Sequence, residues 1–347
     1  MKKTPSKTSD IAEHLGFSRA TVSYVLNDKW RERGISEASA GKILAYVRET
    51  GFQPNPASLV LKGKQVKEIA ILVPPDALEH QKRAFFSLLN LLEQKRKSYM
   101  ILPLTEDQLT ETAHFIRMYR IRNIIAVTTP VNWDFTTKWH RLFGNFAGVN
   151  CLFYDFPFER MKVDELLTSP RSAAVGINRQ KAIVSAFNYI IYRGYRNIVL
   201  PQWKSLVSDF VDNCGAGVKF LNYRNCSNPN LLFENGKFIA EQLPEIRKTV
   251  NGPLAVYIHD DLTSAASMTQ LIHDGFSIPE DFAILSWDGL PESNYFIKPL
   301  ATSVIPHEKM LDIAIKWIDG FPLPSQKVIF DVEIREGETL PKVNCKI

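Results

Sequence analysis

Thr8-Ser9-Asp10-Ile11-Ala12-Glu13-His14-Leu15-Gly16-Phe17-Ser18-Arg19-Ala20-Thr21-Val22-Ser23-Tyr24-Val25-Leu26-Asn27 reads as two short helices with a break between them. Ile11, Ala12 and Leu15 share one helical face, acidic residues sit near the start, and Gly16 stands just past the end. Ser18 is placed to cap a second helix over 19–26, whose apolar stripe is Val22, Val25 and Leu26. Arg19, Ala20, Ser23, Tyr24 and Asn27 then look outward. Two helices joined so tightly form a helix-turn-helix. Beyond a polar, basic loop at 28–34, Ile35-Ser36 reads as staple and cap of a third helix with stripe Ala40, Ile43, Leu44 and Val47, stopped by Gly51.

Outward from this head, the 347-residue chain is long enough for two or three folded units. Its net charge of +5 sits in residues 1–65, where 11 Lys/Arg face 6 Asp/Glu; the remainder balances 31 against 31. A basic head on a neutral body points to a polyanionic partner for the head. Cys151, Cys214, Cys226 and Cys345 show no metal or disulfide spacing, which favours a reducing compartment. The charged N-terminus leads into no apolar core, and no run approaches the ~20 apolar residues of a membrane span. The expectation is a cytoplasmic protein with no membrane partner.

From residue 66 apolar strands alternate with amphipathic helices: strands at 69–73, 100–104, 124–127, 152–154, 173–177, 198–200, 255–258 and 283–287, with helices such as 78–97 and 179–193 between them. That alternation predicts an α/β body of two parallel sheets covered on both faces. Nothing supports catalysis, a cofactor or a metal. His259-Asp260-Asp261 lacks a companion cluster, and Asp261 reads equally well as the start of a helix.

The head resembles that of the LacI/GalR family of transcription regulators, on Asp10-Ile11-Ala12-Glu13 and the run from Gly16 to Asn27. The likeness continues into Gly51-Phe52-Gln53-Pro54-Asn55-Pro56-Ala57-Ser58-Leu59-Val60-Leu61-Lys62-Gly63, similar to the family's hinge helix, in which Asn55 caps and Leu61 stands where the family wedges a Leu into the minor groove. It implies a homodimeric repressor on a pseudo-palindromic double-stranded DNA operator, with base reading by Arg19, Ala20 and Tyr24, phosphate contacts from Ser18, Thr21, Ser23 and Asn27, and hinge contacts from Asn55, Ser58 and Leu61. The chain departs from the pattern at Tyr24, where basic residues are frequent, and in a longer loop after Asn27 that adds Trp30, Arg31 and Arg33.

The body resembles the family over 178–198 and, more closely, from His259 to Asp288. This implies two periplasmic-binding-protein-like lobes: 66–168 plus 293–322, and 169–292 plus 323–347, after a head at 1–52 and a hinge at 53–65. The strand near 302–305 and helix 308–317 are expected in the first lobe and 328–334 in the second. Ligands in open α/β sheets sit at the carboxyl ends of strands, which points to Asp155, His259 and Asp288. The resemblance adds Trp287, and Asp212 where the family grips its sugar or sugar-like effector with Arg. Each Asp could instead simply cap a helix or turn. Three outcomes stay open: a ligand unlike a simple sugar, cationic or aromatic; a ligand-blind DNA-binding dimer; or a solute-binding protein.

Overall fold

In the computed structural model the described residues are 7–343, apart from 53–67, 76, 78, 128–133, 145, 147, 201–206, 208–209 and 222–230. The expected hinge, with Asn55, Ser58 and Leu61, lies outside them. The head consists of α1 (Thr8–Leu15), α2 (Arg19–Leu26) and α3 (Glu37–Thr50). Gly16 and Gly51 end α1 and α3 in the left-handed region, at φ 68° and 63°, where a side chain would be strained. Ile11, Val22, Val25, Ala40 and Ile43 form the shared core. Leu44, expected in that stripe, is 39% exposed. Its place is taken by Phe52, with Trp30 and Ile35 from the loop packed alongside.

The body runs β1 (Ile69–Val73), α4 (Glu79–Gln94), β2 (Tyr99–Pro103), α5 (Leu109–Met118), β3 (Asn123–Val127), α6 (Phe135–Phe143), β4 (Asn150–Pro157), β5 (Ala173–Ile177) and α7 (Arg179–Tyr192). It continues with β6 (Asn197–Leu200), β7 (Gly217–Phe220), α8 (Leu232–Lys248), β8 (Leu254–Tyr257), α9 (Asp261–His273), β9 (Ala283–Asp288), β10 (Ala301–Val304), α10 (His307–Asp319), β11 (Lys327–Phe330) and β12 (Glu333–Arg335). One sheet has the order β11-β5-β4-β3-β1-β2 and the other β12-β10-β9-β8-β6-β7. The first is wholly parallel; in the second β12 runs antiparallel to β10. Fully buried strands such as β5, β8 and β9 explain the unbroken apolar runs.

Backbone pairing corrects the expected lobe boundaries. Residues 173–177 belong to the first lobe, because β5 pairs in register with β4 (Ala173 opposite Leu152) and with β11. Residues 301–304 belong to the second, because β10 pairs with β9. Only α10 of that segment returns to the first lobe, where it packs on α4, β4 and β5. The stretch 328–334 is split, β11 completing the first sheet and β12 the second. Three crossings therefore remain, after β5, after β10 and after β11, each moved to where a strand finds its hydrogen-bonding partner.

Candidate functional site

On the head, Ser18 is the N-cap of α2, its hydroxyl accepting from Thr21 N at 3.0 Å and lying 2.9 Å from Thr21 Oγ1. Arg19, Ala20 and Asn27 are exposed, and Thr21, Ser23 and Tyr24 partly so, which puts the seven expected head contacts on the solvent side of α2. Asn27 closes the helix by donating from Nδ2 to Ser23 O. The added loop folds back onto this helix. Ile35 N and Arg33 N donate to Trp30 O, Arg31 stacks over Trp30, and the Arg33 guanidinium lies 5.0 Å from the Tyr24 ring centre.

In the body, backbone strain presents two carboxylates. Asp155 is the extra residue where β4 shifts register against β5, with φ 55°; Asp288 ends β9 with φ 111°. Bulges and positive φ at non-glycine residues re-aim side chains, and they gather at functional sites. Asp155 is 1% and Asp288 5% exposed. His80, in the first turn of α4, bridges them: Nδ1 lies 2.8 Å from Asp288 Oδ1 and Nε2 3.7 Å from Asp155 Oδ2. Gln81 Nε2 donates to Asp155 Oδ2 at 2.9 Å, and Arg179 Nη2 donates to its Oδ1 at 3.1 Å. Because α4 belongs to the first lobe and β9 to the second, the His80–Asp288 contact ties the lobes together. A rim pair, Arg83 Nη1 to Glu292 Oε1 at 2.9 Å, ties them again.

Burial alone would push the His80 pKa down, but the Asp288 charge and the contacts with Asp155 outweigh it and raise it to about 10. Burial likewise acts to raise Asp155, and Arg179 with His80 hold it below the usual carboxylate range. At Asp288 burial prevails and the shift is upward. His307, at the start of α10, stacks on His80 with ring centres 5.5 Å apart. Burial and the neighbouring His80 charge lower it to about 4. Asp261 is raised to about 7 by burial and by the Asp288 charge, while accepting from Leu290 N and Thr302 Oγ1, each at 2.7 Å. A cleft of about 570 Å³ lined by both lobes opens beside this cluster, with His80, Asp288 and His307 among its walls.

Of the expected effector residues, Asp155 and Asp288 are thus brought together, with His80 between them. Trp287 packs in the body core, one residue out of phase with Asp288 on the same strand. His259 pairs with Asp260 at 2.8 Å, and Asp260 caps α9 through Thr263 N, so the metal-like pair is a helix start. Asp212 is exposed in the turn before β7 and is not among the cleft's walls, contrary to the expectation for that position. His80, Gln81, Arg179 and His307 went unassigned in the sequence. His80 follows β1 and His307 follows β10, and that same rule of strand carboxyl ends would have found them. Among the described residues there is no group of His, Cys, Asp or Glu arranged to hold a metal, and no helix is long and apolar enough to cross a membrane.

Residues 8–55 match the family of bacterial regulatory proteins, lacI family, and residues 211–324 match a periplasmic binding protein-like domain. An HTH-type transcriptional regulator MalR of Clostridium butyricum is 23% identical, over 95% of this chain and 98% of its own. An HTH-type transcriptional repressor PurR of Vibrio atlanticus is 24% identical, over 87% of both chains. Among solved structures, a lac repressor dimer bound to operator and an anti-inducer superposes with a TM-score of 0.71 at 16% identity, over 97% of this chain and 99% of that one. A LacI-family regulator of Enterococcus faecium with bound ribose gives 0.59 at 16% identity, over 80% of this chain and all of the other. This chain thus joins a lacI-family head to a periplasmic-binding-protein-like body, and along nearly its whole length it is similar to LacI-type transcription regulators.

Proposed function

We propose that the protein is a homodimeric transcription regulator, a repressor, that binds a pseudo-palindromic operator through its head and senses a small molecule in the cleft of its body. It is not an enzyme, and a chromosomal target places its work in the cytoplasm. One observation carries the reading: a lacI-family head whose second helix turns Arg19, Ala20 and Tyr24 to solvent together. Arg19 offers a bidentate donor pair for guanine O6 and N7, Ala20 an apolar contact for a thymine methyl, and Tyr24 reaches one helical turn further along the groove. Ser23 and Asn27 flank them for phosphates, as Ser18 and Thr21 do around the helix N-terminus. Ligand control requires two lobe arrangements with different ligand affinities; Asp155 and Asp288 lie where such a ligand would be gripped.

The test is selection of random duplexes by the full-length protein at near-physiological salt, since charge-driven binding depends steeply on ionic strength. Enrichment of one palindrome is expected; a folded protein that enriches no sequence would overturn the reading. A second reading, a ligand-blind DNA-binding dimer, is favoured by one specific feature. The two carboxylates are already bridged by the chain's own His80.

A further inference from the structure

We propose that the cleft between the two lobes takes a cationic effector, whose charged group replaces the side chain of His80 between Asp155 and Asp288. This rests on the sensory reading of the cleft given above and names the chemistry of its ligand.

The argument begins with charge. Asp155 and Asp288 are almost wholly buried and come from different lobes; Glu159, whose side chain is 1% exposed, competes with Asp155 for Arg179 at 3.8 Å. Asp261, also buried, adds a further carboxyl next to Asp288. The cation shared by Asp155 and Asp288 is the buried His80; Arg179, 20% exposed, serves Asp155 and Glu159, and His259 is paired with Asp260. A neutral ligand that pushed His80 aside would leave buried carboxylates in excess, and an uncompensated buried charge is among the most destabilising changes a fold can suffer. A ligand bearing an ammonium, guanidinium or imidazolium group keeps the balance. His80 is therefore a tethered stand-in for the ligand, closing the body in the ligand's absence.

Room and a second anchor are both present. The cleft beside His80, about 570 Å³, falls within the usual range for small-molecule sites. On its rim Arg83 is already paired with Glu292 and Lys309 with Glu333. His307 is different. Both of its ring nitrogens are buried without a hydrogen-bond partner among the described residues, although its ring lines the cleft. Buried polar atoms are almost always satisfied, so a neutral imidazole with a donor and an acceptor to spare marks the place of a ligand's uncharged polar part. The lowered pKa of His307 keeps it in that form beside the His80 cation.

The experiment is chemical complementation in the full-length protein, read by thermal unfolding at pH 6, below the ~6.5 of a free imidazole side chain. His80→Ala is expected to lower the transition by ~5 °C or more. Millimolar imidazole should return at least half of that loss, glucose none of it, and imidazole should do nothing for the double variant His80→Ala/Asp288→Asn. His80→Lys should keep more of the wild-type stability than His80→Gln. Equal imidazole responses in the single and double variants, a glucose response matching that to imidazole, or Gln performing as well as Lys would each overturn the proposal. If His80→Ala does not fold, the Lys and Gln pair decides alone. Failure to select any DNA sequence would remove the regulator reading while leaving this unfolding result, and the chemistry it reports, intact.

Discussion

The head and the body treat their charges in opposite ways. Arg19, Arg31 and Arg33 of the head are exposed, and its core, from Ile11 to Phe52, is apolar throughout. The body draws His80, Asp155, Asp261 and Asp288 inside and sets them against one another. A hydrated cation costs little to hold and gains its partner only when a polyanion releases counterions to meet it. A buried ion has already lost its water and depends on its neighbours for stability. The head is a surface awaiting a partner, and the body is a site that carries its own. Perturbing the head should therefore change DNA affinity at constant stability, whereas perturbing the cleft should change stability itself.

The largest expected effect tests the body's side of that contrast through pH. His307 has a folded pKa of about 4 against 6.5 for the ordinary side chain. Between those values the unfolded chain takes up a proton that the folded one refuses. The His307 contribution to stability should fall from pH 6.5 to 4 at up to ~1.4 kcal/mol per unit, then level off. His80, raised to about 10, acts on the other side: its contribution is complete below 6.5 and disappears as pH rises through 10. Asp155, being lowered, keeps its contribution above the ordinary carboxylate range and loses it only in stronger acid. The groups facing His307 are His80, Asp155 and Arg179, as its own shift reflects. Asp261, raised to about 7, and Asp288, also raised, act against His307 in the interval from pH 6.5 to 4, because the folded chain keeps protons on them that the unfolded chain releases. The His307 share is therefore read as a difference: in thermal unfolding from pH 4 to 10, His307→Phe should gain on the wild type as the pH falls from 6.5 to 4, and both should lose stability alike from 6.5 to 10. A difference between the two proteins that stays constant from pH 6.5 to 4 would show that His307 takes up no proton on unfolding there.

Next in size is Arg19→Ala, which tests the head. The expected loss is ~1 to 3 kcal/mol of binding, concentrated at particular base pairs and accompanied by relaxed preference there. The thermal transition should stay where it is, because Arg19 is exposed and its helix is held by Val22 and Val25 inside and Ser18 at the cap. Binding measured on the selected operator and on its single-base variants checks this. An equal loss on every sequence would assign Arg19 to phosphate contact.

Why the head was legible and the cleft only half so follows from how each is assembled. The helix-turn-helix is local: its period, the Ser18 cap and Gly16 lie within a short stretch, and all three helices fall where periodicity puts them. Buried strands were equally plain, and the edge strand β7 was missed because Gly217 and Lys219 interrupt its apolar pattern. Lobe membership failed at β5, β10 and β11, since pairing between distant segments leaves no mark in any one of them. Asp155 and Asp288 were found from their place at strand ends. His80, Arg179 and His307 were not, because what makes them a site is a bulge at Asp155 and three crossings that gather residues more than two hundred positions apart. Asp212 is the converse: the resemblance puts it at a ligand-gripping position, and nothing in its neighbours in sequence tells of the turn that leaves it exposed.

The smallest effect sharpens the contrast from inside the head, where one cation is held in place without being buried. Trp30 packs against the core beneath the added loop, and the loop's backbone bonds fix Arg33 above Tyr24. An exposed cation over an aromatic ring is worth ~0.5 to 1 kcal/mol, enough to bias the orientation of both side chains on the solvent side of α2. Arg33→Ala should therefore do two separable things. It should lower the salt dependence of operator binding by about one phosphate's worth, and it should relax preference at the base pair beneath Tyr24. Arg33→Lys restores the charge but not the planar face that stacks on the ring, so it should recover the salt dependence and leave the preference relaxed. If Lys recovers both, Arg33 acts as a point charge alone, and the stacked pair contributes nothing to sequence reading.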